Sequence, residues 1–262
     1  MADRNSTSYM FFFAGAVCLV CSIFVASSAV ALKPKQDANK LIDRQKKVLS
    51  VAGLIRAGEK LSPEVVAERF EANIVSKVID LETGEYVDDI DAASYDMRKA
   101  SADPATSTAA PEGNPAKVMR LPNNALVYQV LRDGKVANLI LPMHGKGLWS
   151  TLYGFLAVES DAQTVSGIVF YEHAETPGLG GEVDNPRWRS AWRGRKIYGD
   201  DGQPKISVIK GAAGSASADP YHVDGLSGAT ITSRGVSYLV QFWMGDDGFK
   251  PYLDRFKTQE GA

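Results

Sequence analysis

Asp224-Gly225-Leu226-Ser227-Gly228-Ala229-Thr230 leads directly into a stretch where Val236, Leu239, Val240 and Trp243 recur at i, i+3, i+4 and i+7, the spacing of one helix face. A helix therefore begins near Thr230. Two chemistries fit its start. Ser227 or Thr230 can cap the first turn by accepting a backbone N–H bond. Alternatively, Gly228 and Ala229 clear side-chain bulk from the place where first-turn N–H groups and the positive end of the helix dipole face outward, which suits a phosphate.

Two other segments suit a flat ring. Glu175-Thr176-Pro177-Gly178-Leu179-Gly180-Gly181-Glu182 follows an apolar run ending near Tyr171. Pro-Gly favours a type II turn, and the clustered glycines let backbone approach a ring closely, although an ordinary glycine-rich turn has the same composition. Gly145-Lys146-Gly147-Leu148-Trp149 precedes the apolar run at Tyr153, and Trp149 can cover a ring face or fill a core. His144, His173 and His222 are too dispersed for a metal centre, and no Ser-His-Asp or paired-carboxylate arrangement stands out, so no catalytic residue is expected.

The pattern Asp-x-x-Ser-Gly-Ala-Thr, here Asp224, Ser227, Gly228, Ala229 and Thr230, resembles the recognition sequence of the periplasmic flavin transferase. The resemblance implies a phosphoester between Thr230 Oγ and FMN, made by that separate enzyme with FAD as donor, so that Thr230 is a tether. His173-Ala174-Glu175-Thr176-Pro177-Gly178-Leu179-Gly180 resembles the flavin-contacting loop of the FMN-binding domain shared by NqrC and RnfG subunits. With the N-terminal apolar span and Tyr95-Asp96-Met97-Arg98-Lys99-Ala100, the chain resembles the family of C subunits of the Na+-translocating NADH:quinone oxidoreductase along nearly its whole length.

That resemblance implies a membrane-anchored FMN carrier that relays electrons between other redox subunits, with NqrA, NqrB, NqrD, NqrE and NqrF as partners. Glu175, Thr176, Gly178, Leu179, Gly180, Gly147, Leu148 and Trp149 are then the expected flavin contacts beside Asp224, Ser227, Gly228 and Ala229. An RnfG-like subunit of a ferredoxin:NAD+ oxidoreductase is one alternative. The other is a non-redox periplasmic binding or assembly protein in which Ser227 and Thr230 are only caps.

The elements that must position these residues begin with the membrane. From Tyr9 to Leu32 there are 24 residues without a formal charge, about 36 Å of helix against a hydrocarbon core of about 30 Å. A retained transmembrane anchor fits that length better than a cleaved signal peptide, despite the small-x-small Ala29-Val30-Ala31. Lys33, Lys35, Lys40, Arg44, Lys46 and Lys47 follow the span and only Arg4 precedes it, which by the positive-inside count places the large domain in the cytoplasm. Flavin transfer implies the opposite, a periplasmic domain on a single-pass protein of the bacterial inner membrane, and that is the expectation. Cys18 and Cys21 lie within the span, leaving the rest without a disulfide or a Cys-ligated cluster.

With 45% hydrophobic residues and a net charge of −2 in 262 residues, the chain is ordinary globular material with no basis for a nucleic-acid partner. Leu41, Ile42, Val48, Leu49, Ala52 and Ile55 form a helical stripe that Gly58 is placed to end. Ser62-Pro63 starts a short helix carrying Val66 and Phe70, Ile74 to Asp80 reads as a strand, and Thr83-Gly84 turns it back. Residues 103–116, with three prolines, read as a loop or insertion used for spacing. Asp133-Gly134 joins strands at Ala125–Leu131 and Val136–Leu141, Tyr153–Val158 and Val165–Tyr171 form a second pair, and Lys205–Ile209 adds a short strand. A helix from Asn185 carries Trp188 and Trp192 on one side, with Arg187, Arg189, Arg193, Arg195 and Lys196 expected to face water. The expected architecture is α+β, a mainly antiparallel sheet with flanking helices after one transmembrane helix: residues 1–8 a tail, 9–32 the span, 33–262 the FMN-binding domain.

Overall fold

A computed structural model of the chain describes residues 6–56 and 58–260, so the residues before Ser6, with Arg4, lie outside it. Chain contacts divide into a unit ending at Asp43 and a unit from Arg44 onward. Helix α1 (Thr7–Val51) is continuous through Pro34 for 45 residues. Its most apolar stretch is long and apolar enough to cross a membrane, and none of it is buried among the described residues.

The helix does not run on to the expected stop at Gly58. It ends at Val51 because Gly53, at φ +72°, lets Gly53 N–H bond Ser50 O and Leu54 N–H bond Leu49 O, the paired bonds that close a helix on a left-handed glycine.

In the second unit, α2 (Pro63–Asn73) starts on proline, with no side-chain cap bond from Ser62. Strand β1 (Ile74–Asp80) follows immediately. Helix α3 (Met97–Ala102), too short to announce itself by periodicity, is capped by Asp96 accepting from Arg98 and Lys99 N–H. The supposed spacer after it contains strand β2 (Ser107–Ala109), paired with β3 (Arg120–Pro122). Its Ala116 is fully buried and takes Lys146 N–H on its carbonyl. Residues 103–116 are therefore held structure, a fact hidden because the pairing partner lies beyond the prolines.

Strands β4 (Asn124–Arg132), β5 (Lys135–Lys146), β6 (Thr151–Glu159) and β7 (Val165–Glu172) form an antiparallel meander. With β1 beside β4, the sheet order is β1-β4-β5-β6-β7. Asp133 and Gly134 both have positive φ at the β4–β5 turn, the conformation that Asp-Gly supplies at least cost. Alternate residues face two different layers. Leu139, Leu141, Leu156, Ile168 and Phe170 join the large core under the C-terminal helices. Tyr128, Phe155 and Val169 are equally buried on the other side, where Phe70 meets Tyr128 edge-on and Arg44 stands over Tyr171. Burial on both faces explains why these strands are apolar almost without alternation.

A 3-10 turn (Gly180–Asp184) leads to α4 (Pro186–Ser190), only five residues long. Not all of the basic residues from Arg187 to Lys196 face water as expected. Arg195 is 2% exposed, its guanidinium spent on the carbonyls of Ala191, Gly214 and Asp219, and Arg189 Nε donates to Ile168 O at 2.9 Å. Strands β8 (Ser207–Val208) and β9 (His222–Val223) pair in parallel. Helices α5 (Thr230–Trp243) and α6 (Lys250–Glu260) complete the fold.

Candidate functional site

Helix α5 begins at Thr230 without any side-chain cap: Ala229 is the N-cap residue and contributes no hydrogen bond from its side chain. Neither Ser227 nor Thr230 fills that place, so the capping alternative is removed. Both residues are exposed. The first-turn N–H groups remain available in the geometry that binds phosphate.

What positions this start is a set of bonds behind it. Ser233 Oγ, one turn into α5, accepts Leu226 N–H at 3.1 Å. Asp224 Oδ1 accepts Ala213 N–H at 2.8 Å, and its carbonyl accepts from Trp188 Nε1 at 2.7 Å. The loop is thereby tied to the core on both sides of its glycines. In front lies a cavity of about 500 Å³ whose lining includes Ser227, Gly228, Thr230, Lys210 and Arg234 and no carboxylate. Two cations and an uncapped helix start around the exposed Thr230 hydroxyl fit a phosphate ester.

The two other segments meet at Glu175, which is 5% exposed. One oxygen accepts Trp149 N–H at 3.0 Å and Ser150 N–H at 3.3 Å, and the other accepts the Thr232 hydroxyl at 2.6 Å. One carboxylate thus joins the Gly147–Ser150 loop, its own loop and the first turn of α5. Burial alone would raise its pKa, but the Thr232 bond and the backbone N–H groups of Trp149, Ser150 and Leu148 hold it below its ordinary value.

Gly147 and Gly180 are glycines because of this carboxylate. A Cβ on Gly147 would stand 2.5 Å from Glu175 Oε1, and one on Gly180 would stand 2.6 Å from Thr232 Oγ1 and 2.7 Å from the Glu175 Oε2 it bonds. Between them, Leu179 N–H bonds Thr176 O at 3.1 Å and Gly178 has φ +76°, the expected type II turn.

That framework leaves apolar side chains uncovered. Leu148 is 41%, Trp149 67%, Leu179 44% and Ile231 56% exposed. Leu179 lies over Gly228, where an added Cβ would come within 2.9 Å of it. The predicted residues Gly147, Leu148, Trp149, Glu175, Thr176, Gly178, Leu179 and Gly180 therefore sit on two loops joined to the Thr230 helix, outside the lining of the cavity itself.

Sequence reasoning missed Thr232, Lys210 and Arg234. Arg234 had a signal, since i+4 from Thr230 lies on the same helix side. Lys210 had none, because only the β8–β9 ladder brings it near. Among the described residues no group of histidines, cysteines and carboxylates has metal-site geometry.

Residues 147–245 match the FMN-binding domain family. The C subunit of the Na(+)-translocating NADH-quinone reductase of Pseudomonas aeruginosa is 47% identical over 262 residues, covering 99% of this chain and 100% of its own length. Its counterpart in Vibrio alginolyticus is 49% identical over 243 residues, with 92% of each chain covered. The crystal structure of Shewanella oneidensis NqrC superposes with a TM-score of 0.76 at 35% identity, covering 86% of this chain and all of that one.

Proposed function

The chain belongs to the family of Na+-translocating NADH-quinone reductase C subunits, and from that premise we propose that its FMN is held covalently on Thr230 by a phosphoester. The protein is an FMN-carrying electron-transfer subunit of that complex, distinct from the subunits that oxidise NADH. The flavin supplies the redox chemistry; the chain supplies position and electrostatics.

The observation that carries the covalent reading is the exposed Thr230 hydroxyl at an uncapped helix start, on a cavity with Lys210 and Arg234 in its lining. In the attachment step a flavin transferase forms the bond from Thr230 Oγ to the FMN phosphorus. The pyrophosphate bond of FAD breaks, AMP leaves, and the Thr230 proton is lost. Lys210, Arg234 and the first-turn N–H groups balance the phosphate charge. Asp224 acts from behind, fixing the loop through Ala213, while Ser227, Gly228 and Ala229 leave the phosphate room. Leu148, Trp149 and Leu179, exposed on the two loops, would hold the ring, and Thr176, Gly178 and Gly180 would offer backbone at its edge.

Attachment by that transferase places the second unit in the periplasm, with α1 anchoring it in the inner membrane and NqrA, NqrB, NqrD, NqrE and NqrF as partners. Mass spectrometry of protein made together with the transferase is expected to find FMN on the peptide containing Thr230 and none in Thr230→Ala. An unmodified wild-type peptide, with the transferase shown active on another substrate, would overturn the reading. A C-terminal reporter active only in the cytoplasm would overturn the orientation.

A further inference from the structure

A second cleft, of about 380 Å³, lies in the second unit where the end of α1 meets β7 and α4. Its lining includes Arg56, Arg189, Arg193, Ser50 and Ser190, and contains no carboxylate. Its wall is close-packed backbone: a Cβ on Gly167 would stand 3.2 Å from Val51 Cγ2 and 3.3 Å from Val51 O.

The three guanidinium groups are not consumed by the protein. Arg189 is half-buried and uses only Nε, on Ile168 O. Among the described residues its terminal nitrogens, and the side chains of Arg56 and Arg193, have no hydrogen-bonded or ion-paired partner. Glu59 Oε2 accepts the Arg56 backbone N–H at 2.9 Å and its carboxylate feels the Arg56 charge, but Glu59 Oε1 is paired with Arg69. Burial disfavours the Arg189 charge, Asp184 offsets this in part, and Arg193 adds repulsion. Arg195, four residues from Ala191 and spent on three carbonyls, shows what a structural arginine in the same segment looks like. Gathering like charges and desolvating one of them costs free energy that a bound anion recovers. A guanidinium fork matches phosphate oxygens two at a time.

We propose that the Arg56–Arg189–Arg193 cleft is an anion site for a terminal phosphate group, taken as free phosphate or as the headgroup of phosphatidic acid. It is independent of the flavin, lying on residues the Thr230 site does not use. Arg193→Glu and Arg56→Glu change exposed side chains without hydrogen-bonded partners and relieve like-charge repulsion, so a Tm that is not lowered in chloride buffer verifies that the fold is preserved. Arg234→Glu serves as the comparison, because it alters the other cationic cavity.

The measurement is the Tm of the full chain carrying its FMN, so that the Thr230 cavity is already filled, in detergent against inorganic phosphate, and in nanodiscs with and without phosphatidic acid. A ligand that binds the folded state raises Tm with concentration. The apparent dissociation constant is expected to weaken at least about tenfold in Arg193→Glu and in Arg56→Glu, about the strength of one charge-assisted pair, and to stay the same in Arg234→Glu. A response to inorganic phosphate identifies the free ion. A response only to phosphatidic acid identifies the lipid. No response to either, or one that survives Arg193→Glu or disappears in Arg234→Glu, overturns the proposal.

Discussion

Within five residues the chain passes from a closed region on β5 to an open one in the loop that follows it. His144 lies between Tyr153, stacked at 5.5 Å, and Trp243, tilted at 5.1 Å. Arg98 lies over Tyr153 at 3.5 Å and forks onto Glu172 with two bonds of 2.8 Å. Trp149, just beyond, is 67% exposed beside Leu148. Both regions are rich in apolar and aromatic surface, yet only the first has used that surface on itself. Uncovered apolar groups on a rigid loop framework mark a surface kept for something other than folding. In the closed region the aromatics hold the sheet; in the open region backbone and one carboxylate hold the loops so that the side chains stay free.

The comparison breaks most directly at its extremes. Trp192 is fully buried, so Trp192→Ala is expected to cost about 3–5 kcal/mol in denaturant unfolding. A loss below about 1 kcal/mol would mean that burial in the closed core does not decide stability. Glu175→Ala comes next, because it strands the Thr232 hydroxyl and two backbone N–H groups. About 2–3 kcal/mol is expected at neutral pH, together with flavin that is more mobile by fluorescence anisotropy, and Glu175→Gln should lose less. Since Glu175 is held below its ordinary value of 4.5, its charge contributes stability above that value. The contribution disappears as pH falls through the lowered pKa.

His144 gives the closed region its own acid signature. Burial, reinforced by Arg98, lowers its pKa to about 4 from 6.5. The folded state keeps it neutral while the unfolded chain protonates near 6.5, so stability is full above that pH and declines toward 4. The expected decline is on the order of 2 kcal/mol. His144→Phe preserves the stacking and should flatten the Tm profile over that interval; an equally steep profile would assign it to another group.

What the sequence made legible follows the range of each interaction. Strand β1, the Asp133-Gly134 hairpin and the start of α5 rest on neighbours in the chain, and their residue types announce them. The pairing of Ser107–Ala109 with Arg120–Pro122, the parallel ladder that brings Lys210 to Thr230, and the burial of Arg195 depend on partners many residues away. The hidden feature of the site is Glu175. Its place in a glycine-rich loop beside Thr176-Pro177 suggested a contact for the ring but gave no sign that both its oxygens take donors from Trp149, Ser150 and Thr232. Gly147 and Gly180 belong to the same story, since they make room for a carboxylate as well as for a ligand.

Trp149 separates the two regions most finely. An exposed tryptophan with no packing to lose should be neutral for folding, so Trp149→Ala is expected to change stability by no more than about 0.5 kcal/mol. Its main-chain tie, N–H to Glu175, survives the substitution. In protein carrying FMN the effect should appear at the ring instead. Without an indole against it, flavin fluorescence brightens and quenching by iodide becomes more efficient. Trp243→Phe makes the reciprocal test, because Trp243 Nε1 donates to His144 O and its ring lies in the closed core; it should lower Tm and leave iodide quenching unchanged. Identical behaviour of the two variants would mean that exposure at Trp149 does not mark the flavin surface, and that the ring is held by the Thr230 side of the cavity alone.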